Sequence, residues 1–93
     1  MGEKSRRETE VRRRAAEGRA AYGTRKLEGD DLFVAASVQP SGEQFLVTVD
    51  FYRAVGAFGD SIREEFQLFP DVDMALDHLS AVSGIPVSDL KTD

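Results

Sequence analysis

The sequence contains no cysteine, which excludes disulfide bridges, thiolate metal ligands and a thiol nucleophile. It contains no asparagine, so N-linked glycosylation has no acceptor. No apolar run approaches the length that spans a bilayer, and no apolar core of a signal peptide is visible. Histidine occurs once, as His78. A catalytic base there would need a nucleophile and an orienting partner, and the neighbouring sequence marks neither. Asp71, Asp73 and Asp77, even with Glu28, Asp30 and Asp31, lack the glycine and glutamate spacing of a calcium loop. These absences lead to the expectation of a non-catalytic chain without cofactor, metal or membrane contact, in the cytoplasm.

What is present is one small domain of 93 residues with a divided charge. Residues 1–26 hold nine basic and four acidic groups, whereas residues 27–93 hold three basic and thirteen acidic groups. The first reads as a basic helical arm and the second as an acidic α+β domain. The two halves attract each other, but at physiological salt that attraction fades beyond about 8 Å.

Ser5-Arg6-Arg7-Glu8 fits a capping box and predicts a helix from about Arg6 to Tyr22, with Gly23 following its last turn. Glu8 with Arg12, and Glu10 with Arg14, stand four residues apart in the favourable orientation, each pair contributing about 0.2–0.5 kcal/mol. Val11, Ala15, Gly18 and Tyr22 would then form one thin seam, and Gly18 would weaken the helix interior.

Residues 24–31 read as a linker with a turn at Glu28-Gly29-Asp30. Residues 32–39 are a candidate strand, and Pro40-Ser41-Gly42-Glu43 is a hairpin signal. Residues 44–53 alternate strictly, with Phe45, Val47, Val49 and Phe51 on one face. Residues 54–60 read as an apolar connection, and residues 61–69 as a third strand with Ile62, Phe66 and Leu68 inward and Arg63, Glu65 and Gln67 outward. Asp71 then caps a helix whose Val72, Ala75, Leu76, Leu79 and Val82 share a face, and Gly84 closes it. Val87 to Leu90 add one short turn over the end of the core. The expected fold class is α+β in the order α-β-β-β-α, a three-stranded antiparallel meander with the C-terminal helix on one face. Its expected centre is Phe45, Val47, Val49, Phe51, Ile62, Phe66, Leu68, Leu76 and Leu79.

This order resembles the double-stranded RNA-binding domain, but Asp71, Asp73 and Asp77 stand where that family carries a basic cluster, so the resemblance implies layout and not RNA binding. The stretch REEFQLFPDVDMALDHL after a meander looks like the layout of AP2 and integrase arm-binding domains. Their basic, aromatic sheet face is replaced here by Thr48, Asp50, Tyr52, Arg63, Glu65 and Gln67, which would repel phosphate. Gly56-Ala57-Phe58-Gly59 matches the GxxG of KH domains, yet joins strands and precedes Asp60.

The functional expectation is therefore a module that binds a protein partner whose identity the sequence does not give, a protein with a basic groove for nucleic acid being one candidate. In size and acidity the chain resembles the small inhibitors of phages and plasmids, anti-CRISPR proteins among them. The expected contact residues are Phe58, Tyr52, Asp50, Glu65, Asp73 and Asp77. The alternative is nucleic-acid binding through Arg6, Arg7, Arg12, Arg13, Arg14 and Arg19, with Arg25 and Lys26 behind them. Homodimerisation through the Val11–Tyr22 seam is compatible with either.

Overall fold

The computed structural model describes residues 2–27, 31–55 and 58–93, without the side chains of residues 54–60. Helix α1 spans Glu3–Ala16, strand β1 Ala21–Lys26, β2 Leu32–Ser41, β3 Gln44–Val55, β4 Phe58–Phe69, helix α2 Val72–Ser83, and β5 Lys91–Thr92. A single turn of 3-10 helix, Val87–Asp89, lies between α2 and β5. The strands form one antiparallel sheet in the order β4-β3-β2-β1-β5. The α+β class and the expected meander (β2, β3, β4) are present, and the sheet gains a strand on either side of the chain's middle, β1 and β5. The expected turn at residues 28–30 and the first two residues of the GxxG stretch lie outside the described residues.

Helix α1 stops earlier than capping logic at Gly23 predicts. Gly18 adopts φ +95°, and Arg19 N–H donates to Arg14 C=O at 3.2 Å while Gly18 N–H donates to Ala15 C=O at 3.1 Å. This is the bond pattern of a Schellman ending, which satisfies carbonyls that the helix would otherwise leave free. Gly18 is thus a stop signal and not a weak interior residue. Nor does Ser5 cap the helix: Gly2 holds the N-cap position, and Ser5 accepts at its carbonyl from Thr9 Oγ1.

Freed from the helix, residues 21–26 pair with β2 from Ala21↔Val38 to Lys26↔Phe33. Gly23 is needed for closeness here, because a Cβ would stand 3.0 Å from Leu90 Cδ2 and 3.5 Å from Ile85 Cγ2. The C-terminal segment therefore lies directly on β1.

Helix α2 follows the sequence expectation closely. Asp71 accepts at its side chain from Asp73 N–H, and Gly84 closes the helix at φ +76°. Val72, Ala75, Leu76 and Leu79 are buried, with Val82 packed against them. They cover Val34, Ala36 and Val38 of β2 and Val47 and Val49 of β3, all buried on the same sheet face. Val11, Ala15 and Ala21 belong to the same buried cluster. The change of charge at residue 26 therefore does not coincide with a break in packing.

The third strand of the meander faces opposite to expectation. Cross-strand partners point to the same side of a sheet. Val47 pairs with Gln67 and Val49 with Glu65, whereas Thr48 pairs with Phe66 and Leu46 with Leu68. Once Val47 and Val49 turn toward the helices, Phe66 and Leu68 must turn away, and they are 62% and 48% exposed. Ile62, at the register shift between Phe51 and Tyr52, is also exposed. These three residues are not core. Phe69 takes the inward place, opposite Phe45 and against the ring of His78 at 4.9 Å between centroids.

Candidate interaction surfaces

Both helices lie on one side of the sheet, and among the described residues no layer covers the other face. Strand alternation and register place Tyr22, Thr24 and Lys26 of β1 there, beside Phe33, Ala35 and Ser37 of β2. Beyond them come Leu46, Thr48, Asp50 and Tyr52 of β3, and then Glu64, Phe66 and Leu68 of β4. The sequence put Tyr52 and Asp50 on this side, and the structure adds Phe66, Leu68, Leu46 and Tyr22. Phe33 and Tyr52 stack across the strands, 5.6 Å between centroids and 17° from parallel, which fixes two aromatic rings at one end of the face. A shallow depression of about 280 Å³ runs between Tyr22, Ala35, Thr48 and Asp50.

Next to the exposed phenylalanine and leucine sits an acidic pair. Ser61 Oγ stands 2.8 Å from Asp50 Oδ1 and 3.2 Å from Glu64 Oε1. A hydroxyl donates one proton, so it satisfies one of the two carboxylates at a time. The hydroxyl brings no charge, so both carboxylates keep their negative charge at the border of an apolar patch, an arrangement suited to a cation from outside. The edge beside this patch is a poor site for strand addition. The register shift at Phe51/Tyr52 twists it, and Arg63, Glu64 and Glu65 place charges along it.

The remaining expected contact residues are arranged differently. Glu65 points to the helix side, half-buried, and accepts from Arg63 at 2.7 Å. Asp73 and Asp77 lie on α2 but are held by α1: Arg12 Nη1 donates to Asp73 at 2.9 Å, Arg12 Nη2 to Asp77 at 2.6 Å, and Arg12 Nε to Glu8 at 3.2 Å. The acidic face of α2 is thus largely matched within the chain. The side chain of Phe58 lies outside the described residues.

Most of the basic arm is matched internally as well. Arg13 donates to Glu10 and Glu17, Arg14 to Glu10 and Thr92, Arg19 to the Asp93 carbonyl, and Arg25 to the Gly84 carbonyl. Hydrogen bonds from Arg13, then Arg14, hold the Glu10 carboxyl below the usual range. A depressed carboxylate contributes its stability above its unfolded pKa and loses it as pH falls through the folded one. Partial burial alone would lower the pKa of Arg12, but its bonds to Asp77, Asp73 and Glu8 outweigh this and push it up. The seam proposed for dimerisation is not available on α1, since Val11 and Ala15 are buried in the chain's own core and Tyr22 lies on β1.

The Arg12 cluster gives a measurable expectation. Its three carboxylates are each about half exposed or more, so solvent screening keeps every pair modest. Arg12→Ala also leaves Asp73 and Asp77, four residues apart, repelling one another. The expected loss is about 1–2 kcal/mol of unfolding free energy in urea titrations at low salt. The gap from wild type should narrow on adding salt; a gap that salt leaves unchanged would assign the loss to packing of the Arg12 stem.

Among the described residues no helix is long and apolar enough to cross a membrane. No family model matches the chain, and no curated protein or solved structure matches it either.

Proposed function

We propose that this chain acts by binding rather than by catalysis, and that its partner is a protein that docks on the uncovered sheet face. The observation that carries this reading is the exposure of Phe66 and Leu68, at 62% and 48%, on a face that no helix covers among the described residues. Contiguous exposed apolar surface beside charged groups is characteristic of docking sites, and a planar aromatic is a frequent energetic anchor. The Asp50–Ser61–Glu64 cluster supports an occupant with an apolar side chain over Phe66 and Leu68 and an arginine or lysine reaching the two carboxylates. The net charge of −5 assists encounter with such a basic surface. A nucleic-acid partner suits this face poorly, because its own carboxylates oppose phosphate, and most arginines of α1 are matched within the chain.

The test compares wild type with a Phe66→Ser/Leu68→Ser variant as immobilised baits in extract from the native host, followed by reconstitution with the purified captured protein. Both substitutions are at exposed positions, so the far-UV spectrum should not change. The expected weakening is about 2 kcal/mol or more, roughly 30-fold in Kd. Asp50→Asn/Glu64→Gln should weaken the same complex and flatten its salt dependence. A captured protein that binds the Phe66/Leu68 variant as tightly as wild type would overturn the assignment, and so would retention of nucleic acid alone.

A further inference from the structure

A second feature lies on the opposite side of the molecule, where α1 crosses the C-terminal segment. A cleft of about 310 Å³ is lined there by Arg6, Arg7, Glu10, Arg14 and Ser88. Val11 and Leu90 contribute apolar wall. Positions 7, 11 and 14 of a helix share a face, and Arg6 adjoins it, so α1 contributes three arginines to the lining of one opening. The single acid among them is already matched: Glu10 accepts from Arg14 Nε at 2.8 Å and from Arg13 Nη2 at 2.6 Å. Arg14 is oriented further by Thr92 Oγ1 at 3.2 Å. Arg6 and Arg7 form no ion pair among the described residues. The cleft therefore carries close to two unmatched positive charges.

Ser88 supplies an independent observation. It is 2% exposed, and its hydroxyl finds no hydrogen-bond partner among the described residues. A buried hydroxyl without a partner is costly, and a serine in such a place needs a reason beyond packing.

We propose that this cleft binds the phosphate group of a small organic phosphate monoester. Two excess cationic charges match a phosphate dianion, and tetrahedral oxygens take donors from several directions, as Arg6, Arg7, Arg14 and Ser88 offer them. One arginine would suffice for a carboxylate. The volume fits a phosphate with a short organic stem, which Val11 and Leu90 receive.

The probes are phenyl phosphate, inorganic phosphate, benzoate and a short single-stranded oligonucleotide, titrated at low salt while amide NMR shifts are followed. Phenyl phosphate should give saturable shifts confined to residues near 6–14 and 88–92, with affinity at least about tenfold above inorganic phosphate or benzoate. Arg6→Gln/Arg7→Gln should weaken it by at least about tenfold while the thermal midpoint stays put, and Ser88→Ala should weaken it further. Arg63→Gln, on the far sheet edge, should change nothing. Benzoate or the oligonucleotide binding as tightly as phenyl phosphate would overturn the proposal. So would shifts spread over every arginine, or unchanged affinity in the Arg6/Arg7 variant.

Discussion

Replacing Leu76 with alanine is expected to lower the unfolding free energy by about 2–5 kcal/mol, seen as a lower urea midpoint at unchanged slope. Leu76 is fully buried, in one cluster with Val34, Val47 and Val49, at the level where α2 lies across β2 and β3. Removing its branch takes away transfer free energy and leaves a cavity that the stiff β-branched neighbours cannot close by changing rotamer. A domain of this length has only roughly 5–14 kcal/mol in total, so the variant should be near its folding threshold. Phe66→Ala is the comparison that gives the result meaning. The phenylalanine is larger, but it is 62% exposed, and its loss should cost about 1 kcal/mol or less through its cross-strand pairing with Thr48. Equal losses at the two positions would mean that β4 turns its apolar residues inward after all.

That comparison marks where sequence patterning carried and where it stopped. Helix α2 was legible because cap, periodic face and terminal glycine agree: Asp71, the Val72–Leu79 stripe and Gly84 each have a local cause. Strand β3 was legible because Val47 and Val49 alternate with Thr48 and Asp50. Strand β4 also alternates, but period two fixes only that two faces exist. Which face is buried depends on pairing with β3, and a shift of one residue exchanges them. The pairing of Val49 with Glu65 rather than Phe66 is a long-range fact, set with the register shift beside Ile62.

The same gap hid most of the candidate surface. Asp50 and Tyr52 are legible as part of the outward set of β3, whereas alternation alone places Phe66 and Leu68 in the core, and Ser61 carries no signal until Asp50 and Glu64 converge on it. At the other end, β1 has no signature in the sequence because Ala21, Tyr22, Gly23 and Thr24 show no alternation and Gly23 looks like a helix stop. Only the closeness of Ile85 and Leu90 explains why a glycine stands inside a strand there. Strand β5, two residues long, has no periodic signature at all.

Deleting residues 1–16 should lower stability by about 3–5 kcal/mol, enough to broaden or abolish the thermal transition of the remaining chain. In the sequence, residues 1–26 read as a basic helical arm set apart from the acidic domain, on the strength of charge composition. Packing does not keep that separation: Val11 and Ala15 are 6% and 1% exposed, against the Val87–Asp89 turn, β5 and α2. Burial of one valine contributes about 1.5–3 kcal/mol, and the Arg12 cluster adds its increment by relieving Asp73 and Asp77. Loss of the helix would also expose Val87 and Leu90, which close the β1 end of the core. A truncation can fail for reasons of length, so Val11→Ala gives the graded version, with an expected loss of about 1–3 kcal/mol by urea titration. A truncated chain that melts at the wild-type temperature, or a Val11→Ala variant equal to wild type, would return α1 to the status of an arm. It would also remove the wall on which the phosphate cleft depends, so the stability measurement and the phenyl phosphate titration test the position of the same helix by unrelated readouts.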